Sequence, residues 1–265
     1  MTAADAVDEH GVATTPDGAR LRWRRRGAGE PMLLISGQAV GSASWDPIVP
    51  ALARHHEVIT FDLRGIDGSG IGEAPAWTMA EFADDALAVL HAAGVERAHV
   101  VGHSMGGRVS QRLAIEHPDV VATLTLIATT GGDAGGVPRD PEASRVLASG
   151  GIAELAPYFF GPGGDDAEMA RFLRRDASIT ARRGHYTASL GHDAWGELGA
   201  IAAPTLVIHD TADEITPAGN GRMLAAAIPR AELLEIADGH HAVHLQSAEV
   251  VPAVPAFAAA HPAAV

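Results

Sequence analysis

Gly102-His103-Ser104-Met105-Gly106-Gly107 lies between the apolar run Ala98-His99-Val100-Val101 and a helix-patterned stretch over 108–117. A serine in Gly-x-Ser-x-Gly at a strand-to-helix junction sits on a turn so sharp that only small neighbours fit, and its hydroxyl is held out for attack. The six residues therefore predict both a local architecture, strand then helix, and a reactive atom, Ser104 Oγ.

Working outward, short and nearly all-apolar runs recur at 32–35, 58–61, 98–101, 124–128, 206–209 and 233–236. Continuous apolar runs rather than alternation indicate strands covered on both faces, as in a parallel sheet. Helix-patterned stretches fall between them at 45–54, 79–93, 108–116, 218–227 and 248–260. In 79–93 the apolar Phe82, Ala86, Val89, Leu90 and Ala93 share one face, and Glu81, Asp84 and Asp85 fall on another. The alternation predicts an α/β fold with an open, mostly parallel central sheet flanked by helices. Ahead of it, Thr15-Pro16-Asp17-Gly18 reads as a hairpin turn.

Residues 131–199 break this rhythm. They hold no convincing strand and carry scattered aromatic and long apolar residues, among them Tyr158, Phe159, Phe160, Phe172, Tyr186 and Trp195. An insertion after a strand's carboxyl end overhangs the active site of an α/β enzyme, so 131–199 is expected to form a helical lid on a core made of 1–130 and 200–265. Most of these aromatics are expected to pack the insertion itself. Tyr158, Phe159 and Phe160, just before a glycine-rich turn ending at Gly164, are the candidates for lining a pocket.

At 265 residues and 47% hydrophobic content, the chain is long enough for one large core with an insertion. Its formal charge of −14 argues against a nucleic-acid partner. The basic cluster Arg20, Arg22, Arg24, Arg25 and Arg26 alternates partly with Leu21 and Trp23 and reads as the exposed face of an early edge strand. Without cysteine there is no disulfide framework, thiolate metal site or cysteine nucleophile. The start, with Asp5, Asp8 and Glu9, lacks a signal-peptide pattern, and no apolar run approaches the roughly 20 residues that span a bilayer. A cytoplasmic protein without a membrane partner is expected, as monomer or homodimer. The histidines show no metal-ligand spacing, so neither metal nor cofactor is expected.

A serine hydroxyl is a weak nucleophile at neutral pH and needs a histidine base, itself oriented by a carboxylate. Asp210 and Asp213 follow the run at 206–209, and His240, His241 and His244 follow the one at 233–236. This is the order Ser, Asp, His.

With those residues in place, the chain resembles the lid-bearing α/β-hydrolases of the serine esterase, enol-lactonase and cofactor-free haloperoxidase-like branch. The resemblance covers roughly 20–260. It rests on Gly102-His103-Ser104-Met105-Gly106-Gly107, on Phe61-Asp62-Leu63-Arg64-Gly65, on Pro204-Thr205-Leu206-Val207-Ile208-His209 running into Asp213, and on the late histidines. It implies Ser104 as nucleophile, Asp213 rather than Asp210 as the acid, and His241 rather than His240 as the base. It implies an oxyanion hole from the backbone N–H groups of Met105 and Gln38, with Gly37 and His103 beside the substrate. Two departures stand out: Ser36 where relatives carry the histidine of His-Gly, and Ile66-Asp67 inside the stretch after Arg64-Gly65. The expected activity is hydrolysis of a small-molecule carboxylic ester or lactone through an acyl-enzyme. A ligand-binding receptor, a cyclase or a carbon–carbon hydrolase on the same fold is the alternative.

Overall fold

A computed structural model of the chain describes residues 8–74, 76–149, 151–163, 166–173, 177–237 and 239–263. The acidic start as far as Asp5, and Gly164, both read above, lie outside the described residues.

Eight strands form one sheet: β1 (Asp8–Thr14), β2 (Arg20–Gly27), β3 (Glu30–Ile35), β4 (His56–Phe61), β5 (Ala98–His103), β6 (Val121–Ile127), β7 (Thr205–Asp210) and β8 (Ala231–Ile236). Their spatial order is β1-β2-β4-β3-β5-β6-β7-β8. The β1–β2 and β2–β4 pairs are antiparallel and the rest are parallel. Strands β5, β6 and β7 are buried along their whole length, as their unbroken apolar runs require.

The arginine-rich segment needs a correction. Arg20–Gly27 is not the edge, because Asp8–Thr14 pairs along its outer side from Asp8↔Arg26 to Thr14↔Arg20. The arginines alternate with buried Leu21 and Trp23, as expected of a strand with one covered face. The hairpin expected around Thr15-Pro16-Asp17-Gly18 is this β1–β2 pair, its turn closed by Gly18 N–H donating to Thr15 O at 3.0 Å.

Helices α1 (Val49–Leu52), α2 (Met79–Ala92), α3 (Met105–Glu116), α4 (Pro141–Ser149), α5 (Ile152–Phe160), α6 (Asp166–Phe172), α7 (Ile179–Leu190), α8 (Gly219–Ala227), α9 (Val243–Gln246) and α10 (Val250–Ala260) surround the sheet. The stretch 45–54 is not one helix. A 3-10 turn at Ser42–Trp45 and the single turn α1 share it, since Pro47 and Pro50 lack the N–H groups a longer helix would need. Helix α2 opens on a capping box, Thr78 accepting from Glu81 N–H while the Glu81 carboxylate accepts from Thr78 N–H.

One apolar core joins α2, α3 and α8 to one face of the sheet, and a second joins Trp45, α1 and α10 to the other. A third, built from Val40, Val146, Leu155, Phe159, Phe172 and Ile215, lies between the helices inserted after β6 and the loops at the strands' carboxyl ends. The register places Gly102 beside Leu126, Ile127 beside Ile208 and Asp210 beside Ile236. The loops leaving β5, β7 and β8 therefore emerge at one end of the sheet. Among the described residues no helix is long and apolar enough to cross a membrane.

Candidate active site

Ser104 is the N-cap of α3, with φ 54° and ψ −119°. A left-handed backbone at a non-glycine residue costs on the order of 1–3 kcal/mol, so the surroundings must hold it. They do: Ser104 N–H donates to Ile127 O at 2.9 Å, and Ser104 O accepts from Thr129 Oγ1 at 2.7 Å and Gly107 N–H at 2.9 Å. The glycines are sterically required. A Cβ on Gly102 would lie 2.4 Å from Gly106 O, and one on Gly106 would lie 2.1 Å from Ile35 O.

His241 Nε2 stands 3.0 Å from Ser104 Oγ, and His241 Nδ1 stands 2.8 Å from Asp213 Oδ2. A carboxylate only accepts, so Nδ1 carries the hydrogen and Nε2 turns its lone pair to the serine hydroxyl. The other Asp213 oxygen accepts from Ile215 N–H at 2.9 Å and Thr216 N–H at 2.8 Å. Asp213 and His241 are both buried.

The competing candidates have other partners. Asp210 Oδ2 accepts from Gly239 N–H at 2.5 Å and Oδ1 from Ala212 N–H at 2.7 Å, so this carboxylate ties the end of β7 to the loop after β8. His240, at φ 50°, lies against Gly161 of the inserted segment. His244 is buried 4.8 Å from the Trp45 ring, with its Nδ1 unpartnered among the described residues.

His103 donates from Nε2 to His241 O at 2.9 Å, and its ring lies tilted between those of His241 and His244. Burial pushes its imidazole well below the usual histidine range. The same desolvation lowers His209 and pushes His244 down to about 3. His209 donates from Nε2 to Thr216 O at 2.6 Å and so braces the turn that presents Asp213. Three neutral imidazoles thus surround His241.

A cavity of about 490 Å³ opens above Ser104, a size suited to a small molecule. Gly37, Gln38 and Met105 line it, and Met105 is the first residue of α3, whose N–H has no partner within the helix. Of the three consecutive aromatics only Phe159 lines the cavity. Tyr158 and Phe160 do not, correcting the expectation for both: neighbours on a helix point about 100° apart, so three in a row cannot share a face. Their backbone matters instead. Tyr158 O accepts from His241 N–H at 3.3 Å, Phe159 O accepts from Ala242 N–H at 3.0 Å and Phe160 O accepts from Gln246 Nε2 at 3.0 Å. The end of α5 therefore holds the loop that carries His241.

The cavity wall is basic in an acidic chain. Arg108, Arg139, Arg182 and Arg183 line it, with Asp133 the acidic residue among the described lining. Arg108 spends its charge on Asp133 at 2.5 Å and also donates to Ser189 O at 2.6 Å. Sequence reasoning missed these arginines, His209 and the buried His185; Arg108 meets Asp133 across 25 residues of chain and His185 meets Ala39 across 146, separations that leave no local pattern.

A family model described as alpha/beta hydrolase fold matches residues 30–161. A protein named "Putative carbamate hydrolase RutD", from Azorhizobium caulinodans, is 34% identical over 239 residues, covering 84% of this chain and 89% of that protein. Among solved structures, the enol-lactonase from Burkholderia xenovorans matches with TM-score 0.77 and 25% identity, covering 94% of this chain and 100% of that one. A thermophilic esterase from Thermogutta terrifontis matches with TM-score 0.78 and 26% identity, covering 96% and 100%.

Proposed function

Because the chain belongs to the α/β-hydrolase family, we propose that it is a serine hydrolase cleaving a small-molecule carboxylic ester or lactone. The observation that carries this reading is the continuous hydrogen-bonded line from Ser104 Oγ through both nitrogens of His241 to Asp213 Oδ2.

In the proposed reaction Ser104 Oγ attacks the carbonyl carbon as its proton passes to His241 Nε2, and the resulting imidazolium is stabilised by Asp213. The carbonyl oxygen becomes an oxyanion facing the N–H groups of Met105 and Gln38, where one donor is worth roughly 3 kcal/mol. His241 then gives its proton to the leaving oxygen, the C–O bond breaks, and an acyl-Ser104 ester remains. Water repeats the sequence, losing a proton to His241, which returns it to Ser104 as the acid departs. The helices within 131–199 act as the lid that excludes bulk water. Relatives described as a carbamate hydrolase, an enol-lactonase and an esterase all act on a carbonyl bearing a heteroatom, and the 34% identical relative makes a carbamate the second reading.

The test is the intact mass of the chain after incubation with a fluorophosphonate. One adduct on wild type, absent from Ser104→Ala and much slowed in His241→Ala, is expected. An unlabelled, folded wild type that is thermally stabilised by a ligand without releasing product would replace the enzyme with a receptor.

A further inference from the structure

We propose that His185, on α7, is the positioning residue that sets the oxyanion loop Gly37-Gln38-Ala39-Val40, a role that rests on the hydrolase reading above. The loop is irregular and strained. Ala39 sits at φ 51°, and the loop's own turn bond, Val40 N–H to Gly37 O, is long at 3.3 Å. The Ser36 hydroxyl faces Gly41 O at 3.3 Å and Ser44 Oγ at 3.4 Å rather than Gln38 or Ala39.

Support comes from the far side of the chain. Ala39 N–H donates to His185 Nδ1 at 3.1 Å, and His185 Nε2 donates to Arg64 O at 2.9 Å. One partner is a donor and the other a carbonyl, so a single ring form satisfies both: neutral, with the hydrogen on Nε2. The ring is fully buried and meets the edges of Trp77 at 5.8 Å and Phe82 at 5.0 Å. Its anchor is stiff as well. Arg64 is forked onto Asp85 at 2.6 and 2.7 Å and onto Asp17 at 2.6 and 3.1 Å. Helix α7 fits closely onto this base, for a Cβ on Gly65 would lie 2.5 Å from Ala181 Cβ and one on Gly184 would lie 2.4 Å from the Trp77 ring. His185 thus ties the loop at Ala39 to the backbone at Arg64.

A loop donor matters most when the carbonyl oxygen is charged, so losing the brace slows turnover more than it weakens substrate binding. The experiment compares His185→Asn with His185→Gln in the full chain. Asparagine places an acceptor where Nδ1 stood, in reach of Ala39 N–H; glutamine places a donor near the Nε2 position and leaves Ala39 N–H unanswered. With p-nitrophenyl acetate, kcat of His185→Gln is expected to fall about 30- to 100-fold with KM within about threefold, since one oxyanion donor is worth about 10²–10³ in kcat. Inhibition by a trifluoromethyl ketone, which forms a tetrahedral adduct, should weaken by the same factor. His185→Asn should recover to within about fivefold of wild type.

Equal rates in the two variants, slow or fast, would overturn the proposal, as would a loss confined to melting temperature. Should neither variant fold, nitrogen-15 spectra of histidine-labelled wild type decide the matter. Shifts of one ring nitrogen bare and the other protonated at pH 9 are expected, and shifts averaged over the two nitrogens there would refute the brace. A wild type that takes no phosphonate label overturns this proposal together with the hydrolase reading. A labelled wild type with indistinguishable variants overturns this proposal alone.

Discussion

Two carboxylates and three histidines crowd the ends of β7 and β8, and their neighbours separate them. Asp213 holds its oxygens on two backbone N–H groups and on His241, whereas Asp210 spends both of its oxygens on loop N–H groups. Substituting His241→Ala should lower kcat by about 10⁴-fold or more, and Asp213→Asn by about 10⁴-fold through the wrong ring tautomer, the size known for an unrelated serine protease. His240→Ala should stay within about threefold, since its ring packs on Gly161 rather than on Ser104. Steady-state hydrolysis of p-nitrophenyl acetate measures all three. A dead His240→Ala beside an active His241→Ala would move the base by one residue.

At the scale of single elements, α7 shows how one helix serves two purposes. Ile179, Arg182, Arg183, Tyr186 and Leu190 follow the three- and four-residue spacing of one face and line the cavity, while Ala181, His185 and Ala188 are buried behind. The cavity face is positive, so an ester bearing a carboxylate, such as a monoester of a short dicarboxylic acid, should exceed its uncharged isostere in kcat/KM by about tenfold at low salt. That preference should shrink as ionic strength rises, and Arg182→Gln with Arg183→Gln should remove most of it while hydrolysis of the neutral ester persists. Equal kcat/KM for charged and neutral esters at every salt concentration would show that these arginines face water and nothing more. The central strands β5, β6 and β7 were readable in the sequence because burial on both faces writes an unbroken apolar run. Ser104 and the Asp210–Asp213 pair follow such runs, whereas His241 follows the largely exposed β8 and was singled out through the resemblance. The broken helix at 45–54 was not, since paired prolines decided it. His185 was invisible because its partner Ala39 lies 146 residues away.

Across the whole molecule, buried neutral histidines set the response to acid. Burial, with Arg108 and Arg112 nearby, pushes His192 down to about 3, and burial together with His241 does the same to His244. An unfolded chain binds these protons near pH 6.5 and the folded one does not, so the stability is fully present above that pH and drains away as pH falls toward 3. The loss is about 1.4 kcal/mol per pH unit for each histidine, or about 2 kcal/mol each at pH 5. Urea midpoints at pH 7.5 and 5 should therefore converge in His192→Asn relative to wild type, and identical pH slopes in the two chains would exclude the effect. One arrangement reaches further. The segment inserted after β6 supplies carbonyls that hold the loop of His241, through Tyr158 and Phe159, and a ring that holds Ala39. It is not an interchangeable module. A chimera given a relative's insertion would inherit that relative's pocket without its own bracing, so swapping this segment to change selectivity would slow the chemistry for every substrate alike until the two anchoring points were rebuilt.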